Sequence, residues 1–157
     1  MFELSLHDTA SPALMAMPER FRAALTAKAG ALAAEMQGRI QQNLSGGVLN
    51  EKSGTLAESV GIRMVEASTG VAAYLFTSPD VKYAAIHEFG GTVPPHEIVP
   101  DKTKVLAFLI GGKQAFAARV LMPAVTMPER SYMRSSLEQM ADLVRGEFTA
   151  AVNEAAR

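Results

Sequence analysis

The sequence predicts an α+β domain in which an antiparallel sheet packs against a long N-terminal helix and a long C-terminal helix. Two observations mark the helices: apolar residues recur at three- and four-residue steps from Phe21 to Leu44, and again from Met133 to Ala155. A third marks the sheet, since the stretch between them alternates apolar runs with Gly and Pro breaks. Helices at both ends of a run of strands favour a segregated α+β arrangement over alternating parallel units. The 157 residues fit one domain, 1–157, large enough to bury a core without covalent staples. A chain that is 48% hydrophobic and 20% charged is not a disordered one.

The elements follow in order. Phe2, Leu4 and Leu6 alternate with Glu3, Ser5 and His7, the period of a half-buried strand. Ser11-Pro12 reads as a cap and first turn, and Pro18 restarts or kinks the helix it begins. The stripe Phe21, Leu25, Ala29, Leu32, Met36, Ile40 and Leu44 then gives one long helix, broken by Ser45-Gly46-Gly47. Residues 45–54 have loop composition and read as a mobile segment. Thr55 to Ser59 fits one helical turn. Val60–Met64 and Val71–Thr77, on either side of Ser68-Thr69-Gly70, form a hairpin. Val81–Phe89 fits a short helix stopped by Gly90-Gly91, and Pro94-Pro95 and Pro100 make 90–104 a second mobile loop. Val105–Ile110 and Ala115–Leu121 pair across a Gly111-Gly112 turn. Pro123 and Pro128 bracket a loop, and Ser131 opens the last helix.

Composition excludes several classes of function. There is no cysteine, so disulfide scaffolds, cysteine zinc sites, iron–sulfur clusters and thiol catalysis are all absent. Fifteen basic against sixteen acidic residues give a net charge of −1, with no basic excess of the kind that nucleic-acid binders carry. No apolar run approaches the roughly 20 residues of a membrane span, and Met1-Phe2-Glu3-Leu4 has no basic leader. The expectation is a soluble intracellular product with no membrane partner.

Candidate chemistry is sparse. His87-Glu88 and His96-Glu97 form the one histidine–carboxylate cluster, but the spacing and the intervening Gly-Gly and Pro-Pro do not match a helical zinc motif. Structural hydrogen bonds are the simpler reading. Gly111-Gly112-Lys113-Gln114 lacks both the upstream glycine and the hydroxyl of a phosphate loop. No nucleophile elbow is present, and Ser131, Ser135 and Ser136 read as helix-start and surface residues. Lys102, Lys104, Lys113, Arg119, Arg130 and Arg134 are diluted by Asp101 and Glu129, so a solvated face is preferred and no specific nucleic-acid binding is expected. Of nine methionines, Met36, Met64 and Met140 fit core filling, while Met122 and Met127, flanked by prolines, are candidates for an adaptable docking surface.

Three segments carry a resemblance. They are Ser53-Gly54-Thr55-Leu56-Ala57-Glu58-Ser59-Val60, Tyr83-Ala84-Ala85-Ile86-His87-Glu88-Phe89-Gly90-Gly91, and Met127-Pro128-Glu129-Arg130-Ser131-Tyr132-Met133-Arg134 ahead of a terminal helix. Their order and spacing resemble the tailed-phage tail-completion and virion-morphogenesis family of small head–tail joining or minor tail proteins. Ile98-Val99-Pro100 and Lys104–Phe108 add to the likeness, which spans about residues 45–140. Gly91 and Met133 depart from the usual threonine and bulky residue.

The resemblance implies a structural virion protein of the neck or tail, without catalysis or cofactor. It is present in the host cytoplasm during assembly and forms a homo-oligomeric ring in the virion, where it contacts other neck or tail proteins, and a monomer in isolation is compatible with this. It picks out Gly54, Leu56, Ser59, Tyr83, His87, Glu88, Phe89, Gly90, Gly91, Pro128, Arg130 and Tyr132 as assembly or structural positions. Physical reasoning gives these residues roles. Gly54 and Gly90 can adopt positive φ, Tyr83 and Phe89 can anchor a short element to the sheet, and Pro128 fixes the backbone before the helix. Arg130 is expected to pair bidentately with Glu88. The alternative function is a metal-dependent hydrolase using His87, Glu88, His96 and Glu97.

Overall fold

A computed structural model describes residues 3–7, 19–50, 52–67, 70–101 and 104–156. The elements run β1 (Glu3–His7), α1 (Glu19–Leu44), α2 (Thr55–Glu58), β2 (Val60–Ala67), β3 (Gly70–Thr77), α3 (Ala84–Phe89), β4 (Gly91–Val93), β5 (His96–Ile98), β6 (Leu106–Ile110), β7 (Lys113–Ala117), β8 (Val120–Met122), β9 (Val125–Met127) and α4 (Met133–Ala155). This is the expected α+β class, with long helices near both ends. The Ser11-Pro12 cap and the Pro18 kink fall outside the described residues.

The body is a three-stranded antiparallel sheet in the order β1-β3-β2 together with the two long helices. β3 alternates buried Val71, Ala73, Leu75 and Thr77 with half-exposed neighbours, so one face of the sheet meets the helices. α1 packs on β2 and β3 and runs along α4. Its buried stripe, Leu25, Ala29, Leu32, Met36, Ile40 and Leu44, is the one read from the spacing, with Ala33 added. α4 contributes Met133, Met140 and Ala151, with Leu137, Val144 and Phe148 packed at the margin. Met36 and Met140 are core residues, and Met64 lies half-buried against them. α1 stops where Gly46 turns at φ +121, and the following loop bonds back onto it: the Val48 and Leu49 amides both reach the Asn43 carbonyl at 2.8 Å.

The strands after α3 do not join this sheet. They form three nested antiparallel pairs, β4 with β9, β5 with β8 and β6 with β7. Together these make one long, interrupted hairpin, here termed the arm. Gly91 pairs with Met127, His96 with Met122, and Ile110 with Lys113. Two expectations change accordingly. Residues 90–104 contain two strands where a loop was expected, and the loop expected between Pro123 and Pro128 is β9. Proline explains the misreading. It cannot donate to a ladder, so Pro94-Pro95, Pro100 and Pro123 fall between the paired segments and cut the arm into short rungs. At the tip, Gly111 and Gly112 have φ of +56° and +80°, the two positive values that a tight hairpin turn of this hand requires.

Candidate assembly site at the root and end of the arm

The second and third sequence motifs meet at the arm's root. α3 leads into the outgoing strand and α4 follows the returning one, so residues some 40 positions apart become neighbours. α3 turns Ala84 and Glu88 inward, one helical turn apart. Glu88 is 1% exposed. Its Oε1 accepts hydrogen bonds from Ser131 Oγ at 2.7 Å and the Arg134 amide at 2.9 Å, and its Oε2 from the amides of Tyr132 at 2.8 Å and Met133 at 2.9 Å. The first amides of a helix have no partner within it, and the helix dipole favours negative charge there. Tyr132, the residue preceding α4, offers no side-chain cap. A carboxylate from α3 supplies it instead.

This corrects the expected Glu88–Arg130 pair. The Arg130 side chain is exposed, and its backbone amide is what binds, donating to the His87 carbonyl at 2.8 Å. The Glu88 oxygens already face four donors, from Ser131 and Tyr132 and from the first two residues of α4, so no place remains for a guanidinium. A second correction concerns the aromatic anchors. Tyr83 and Phe89 are 42% and 53% exposed, because the inward stripe of α3 is taken by Ala84 and Glu88. Tyr83 instead meets His87 edge-to-face, with ring centroids 5.9 Å apart. The anchoring aromatic is Tyr132, fully buried, whose hydroxyl reaches the Ala84 carbonyl at 3.4 Å.

Gly90 joins α3 to β4 at φ +67°, and a Cβ there would lie 2.7 Å from the Glu129 nitrogen and 3.1 Å from the Met127 oxygen. The two strands of the arm's root therefore approach too closely for a side chain. Gly91 opens β4 opposite Met127, and exposed Pro128 ends the ladder on the return side. Glu129 and Arg134 form an ion pair beside it.

A buried polar cluster fixes α1 to the same place. Asn43 Nδ2 donates to Ser136 Oγ at 2.8 Å, with longer contacts of 3.4 Å to the Tyr132 carbonyl and to Ser135 Oγ. Ser136 is fully buried and donates to the Tyr132 carbonyl at 2.7 Å, so it is not the surface residue expected from the sequence. Asn43 and Ser136 went unnoticed as site residues because their partners are far away in sequence.

The first motif lies under the root. Gly54 precedes α2 at φ +76°, Leu56 is fully buried in the cluster that holds Ala84 and Tyr132, and Ser59 Oγ donates to the Leu56 carbonyl at 2.7 Å. The Ser59 carbonyl accepts the Ser78 amide at 3.1 Å, and Ser78 leads by backbone bonds through Val81 to Ala84 of α3.

The arm beyond the root is built differently. No described residue from 91 to 130 is buried. Yet Leu109, Ile110, Phe116 and Leu121 are 73%, 64%, 62% and 77% exposed. Register places Ala107 opposite Phe116 and Leu109 opposite Gln114, so Leu109 and Phe116 are diagonal neighbours on one face. Ile110, opposite Lys113, is on the other face, so the tip exposes apolar side chains on both of its faces. Met122 and Met127, the expected docking residues, are half-buried, and the larger aliphatic and aromatic groups are the more exposed. The signal for them in the sequence was the apolar run into Gly111-Gly112.

His87 and His96 are separated by the root, His87 on α3 and His96 on β5 with its Nδ1 3.1 Å from the Pro94 carbonyl oxygen. Among the described residues, no three His, Asp or Glu side chains form a group able to hold a metal ion. Lys104, Lys113 and Arg119 line the arm, Arg119 beside Glu97 at 3.4 Å; Lys102 lies outside the described residues. Among the described residues no helix is long and apolar enough to cross a membrane. Compared with family models, curated proteins and solved structures, the chain matches none.

Proposed function

We propose that this chain is a structural component of a tailed phage or prophage particle. It acts at the head–tail junction or tail end, in a ring that contacts other neck or tail proteins. The observation that carries the reading is the arm: some forty residues, none of the described ones buried, that expose large apolar side chains from a root fixed by buried hydrogen bonds. A folded body that holds out such an element is suited to gripping neighbours. The sequence motifs that resemble the virion-morphogenesis family supply the parts of that root. Glu88, Gly90 and Tyr132 tie it together, and Leu56 packs beneath it.

The test is genetic and visual. The gene is deleted from the phage or prophage that encodes it, and the particles are viewed by electron microscopy. Full heads without joined tails, or tails of defective ends, are expected, with rescue by the intact chain supplied in trans. Normal tailed, infectious particles from the deletion would overturn the reading.

A further inference from the structure

The end of the arm has the composition of a sheet interior, yet it stands outside the body. In β6 and β7 only Lys113 and Gln114 are polar. Alternation divides the strands between two faces, and both are apolar: Phe108 and Ile110 lie on one, Leu109 and Phe116 on the other. Strands apolar on both faces are those of sheets covered on both sides. Among the described residues, however, β6 and β7 pair only with each other. A two-stranded hairpin is marginal in water, and further strands are what stabilise one.

The two outer edges of this hairpin are open and complement one another. In a two-residue hairpin the closing pair, here Ile110 and Lys113, is hydrogen-bonded, and unbonded and bonded pairs alternate from it. The backbone groups of Leu109 and Ala107 therefore point outward from β6, and those of Gln114 and Phe116 outward from β7. Each edge offers two N–H donors and two carbonyl acceptors at the same spacing. Neither strand contains a proline, an acidic residue or a bulge that would block pairing. The open edges also decide against lipid as the cover, because unpaired backbone groups are costly in hydrocarbon. Side-chain size fits a neighbouring hairpin of the same sequence. Ala107 lies opposite Phe116, and Phe108 opposite Ala115. A second hairpin set beside the first at the same level continues both rows, so each phenylalanine falls beside alanines. Lys113, the one charge in the two strands, then lies two strand spacings, about 10 Å, from its counterpart, where salt screens most of the repulsion.

We propose that β7 of one copy pairs edge to edge with β6 of a second copy of this chain, so that the arm ends of neighbouring subunits form one antiparallel ladder. In copies related by rotation about an axis along the arms, β7 meets β6 of the next copy and the two run in opposite directions. One heterologous contact then repeats, and closure of the ring leaves no edge unpaired. This rests on the assembly reading above and names its contact surface. Backbone hydrogen bonds and apolar side chains make the contact, so raised salt is not expected to weaken it.

The experiment exploits a chain without cysteine. Leu109→Cys and Gln114→Cys are made as two separate full-length chains, and each alone and an equimolar mixture are oxidised at high protein concentration. Each chain carries one thiol, so any disulfide joins two copies, and mass spectrometry identifies the joined positions. Paired strands hold such residues within disulfide range. The mixture is expected to give the 109–114 cross-link at least tenfold above the 109–109 and 114–114 products of the single variants, since β6 meets β7 and not itself. Ala107→Pro is the second variant. Its amide points outward, so the proline removes no bond of the hairpin itself, yet self-association in sedimentation velocity is expected to fall at least tenfold. Circular dichroism verifies that all three variants fold. Single variants that cross-link as well as the mixture, a mixture that does not cross-link, or Ala107→Pro associating like wild type would overturn the proposal. A mixture without cross-links whose chains sediment with phosphatidylglycerol–phosphatidylcholine vesicles would assign the arm end to lipid instead. Absence of cross-links in a chain that particles require removes this contact and leaves the assembly reading standing. Cross-links in a chain that particles do not need remove the assembly reading alone.

Discussion

The Glu88 carboxylate lies 2.8 Å from the backbone amide of Tyr132, although 44 residues separate them. Those residues are the arm. The bond closes the body beneath it, so the helix that follows the arm is started by the helix that precedes it. The root is thus held by the body's own hydrogen bonds, and the arm's outer residues are left available for contact.

Glu88 should be intolerant of even isosteric change. In Glu88→Gln the carboxamide NH₂ replaces one acceptor and faces helix amides, leaving buried donors unpaired. A loss of about 2–4 kcal/mol is expected in urea unfolding. A loss below about 0.5 kcal/mol would contradict the capping role.

Arg130→Ala should be nearly silent for folding, within about 0.5 kcal/mol, because the residue contributes its backbone amide and its side chain is exposed. A loss comparable to that of Glu88→Gln would restore the guanidinium as a partner of the buried carboxylate.

Two glycines should respond with opposite signs. Gly90→Ala forces a Cβ against the Glu129 backbone at a positive φ, and a loss of about 2–4 kcal/mol is expected. Gly38→Ala places a methyl in open space on α1, where alanine is the better helix former, and a gain of about 0.5–1 kcal/mol is expected. Thermal unfolding of the pair tests the assigned backbone geometry.

Much of the body was legible from periodicity. The stripes of α1 and α4 and the β2–β3 hairpin are local patterns, and their buried residues follow from spacing alone. The arm was not. Its rungs are three to five residues long, Gly91 pairs 36 positions away with Met127, and prolines mask the strands as loop borders. Nested pairing of this kind leaves no local period. The Glu88 site was half legible. Its position and the glycine after its helix were singled out, but the search for a countercharge led to Arg130, because helix amides are invisible in a list of side chains. Anchoring by Tyr83 and Phe89 failed for a related reason: a six-residue helix has one inward stripe, and Ala84 and Glu88 occupy it.

Elemental analysis of the purified chain should find no stoichiometric zinc or manganese. Glu88 is engaged by α4, and His87 and His96 belong to no three-ligand group among the described residues. One equivalent of metal, lost in His96→Ala, would favour the hydrolase chemistry instead.

The measurement that bears most directly on the central claim replaces Leu109, Ile110, Phe116 and Leu121 together by serine. Urea unfolding is expected to stay within about 1 kcal/mol of wild type, because these side chains already face solvent. Particle assembly in the encoding phage is expected to fail. A folded variant that still yields normal tailed particles would contradict the account.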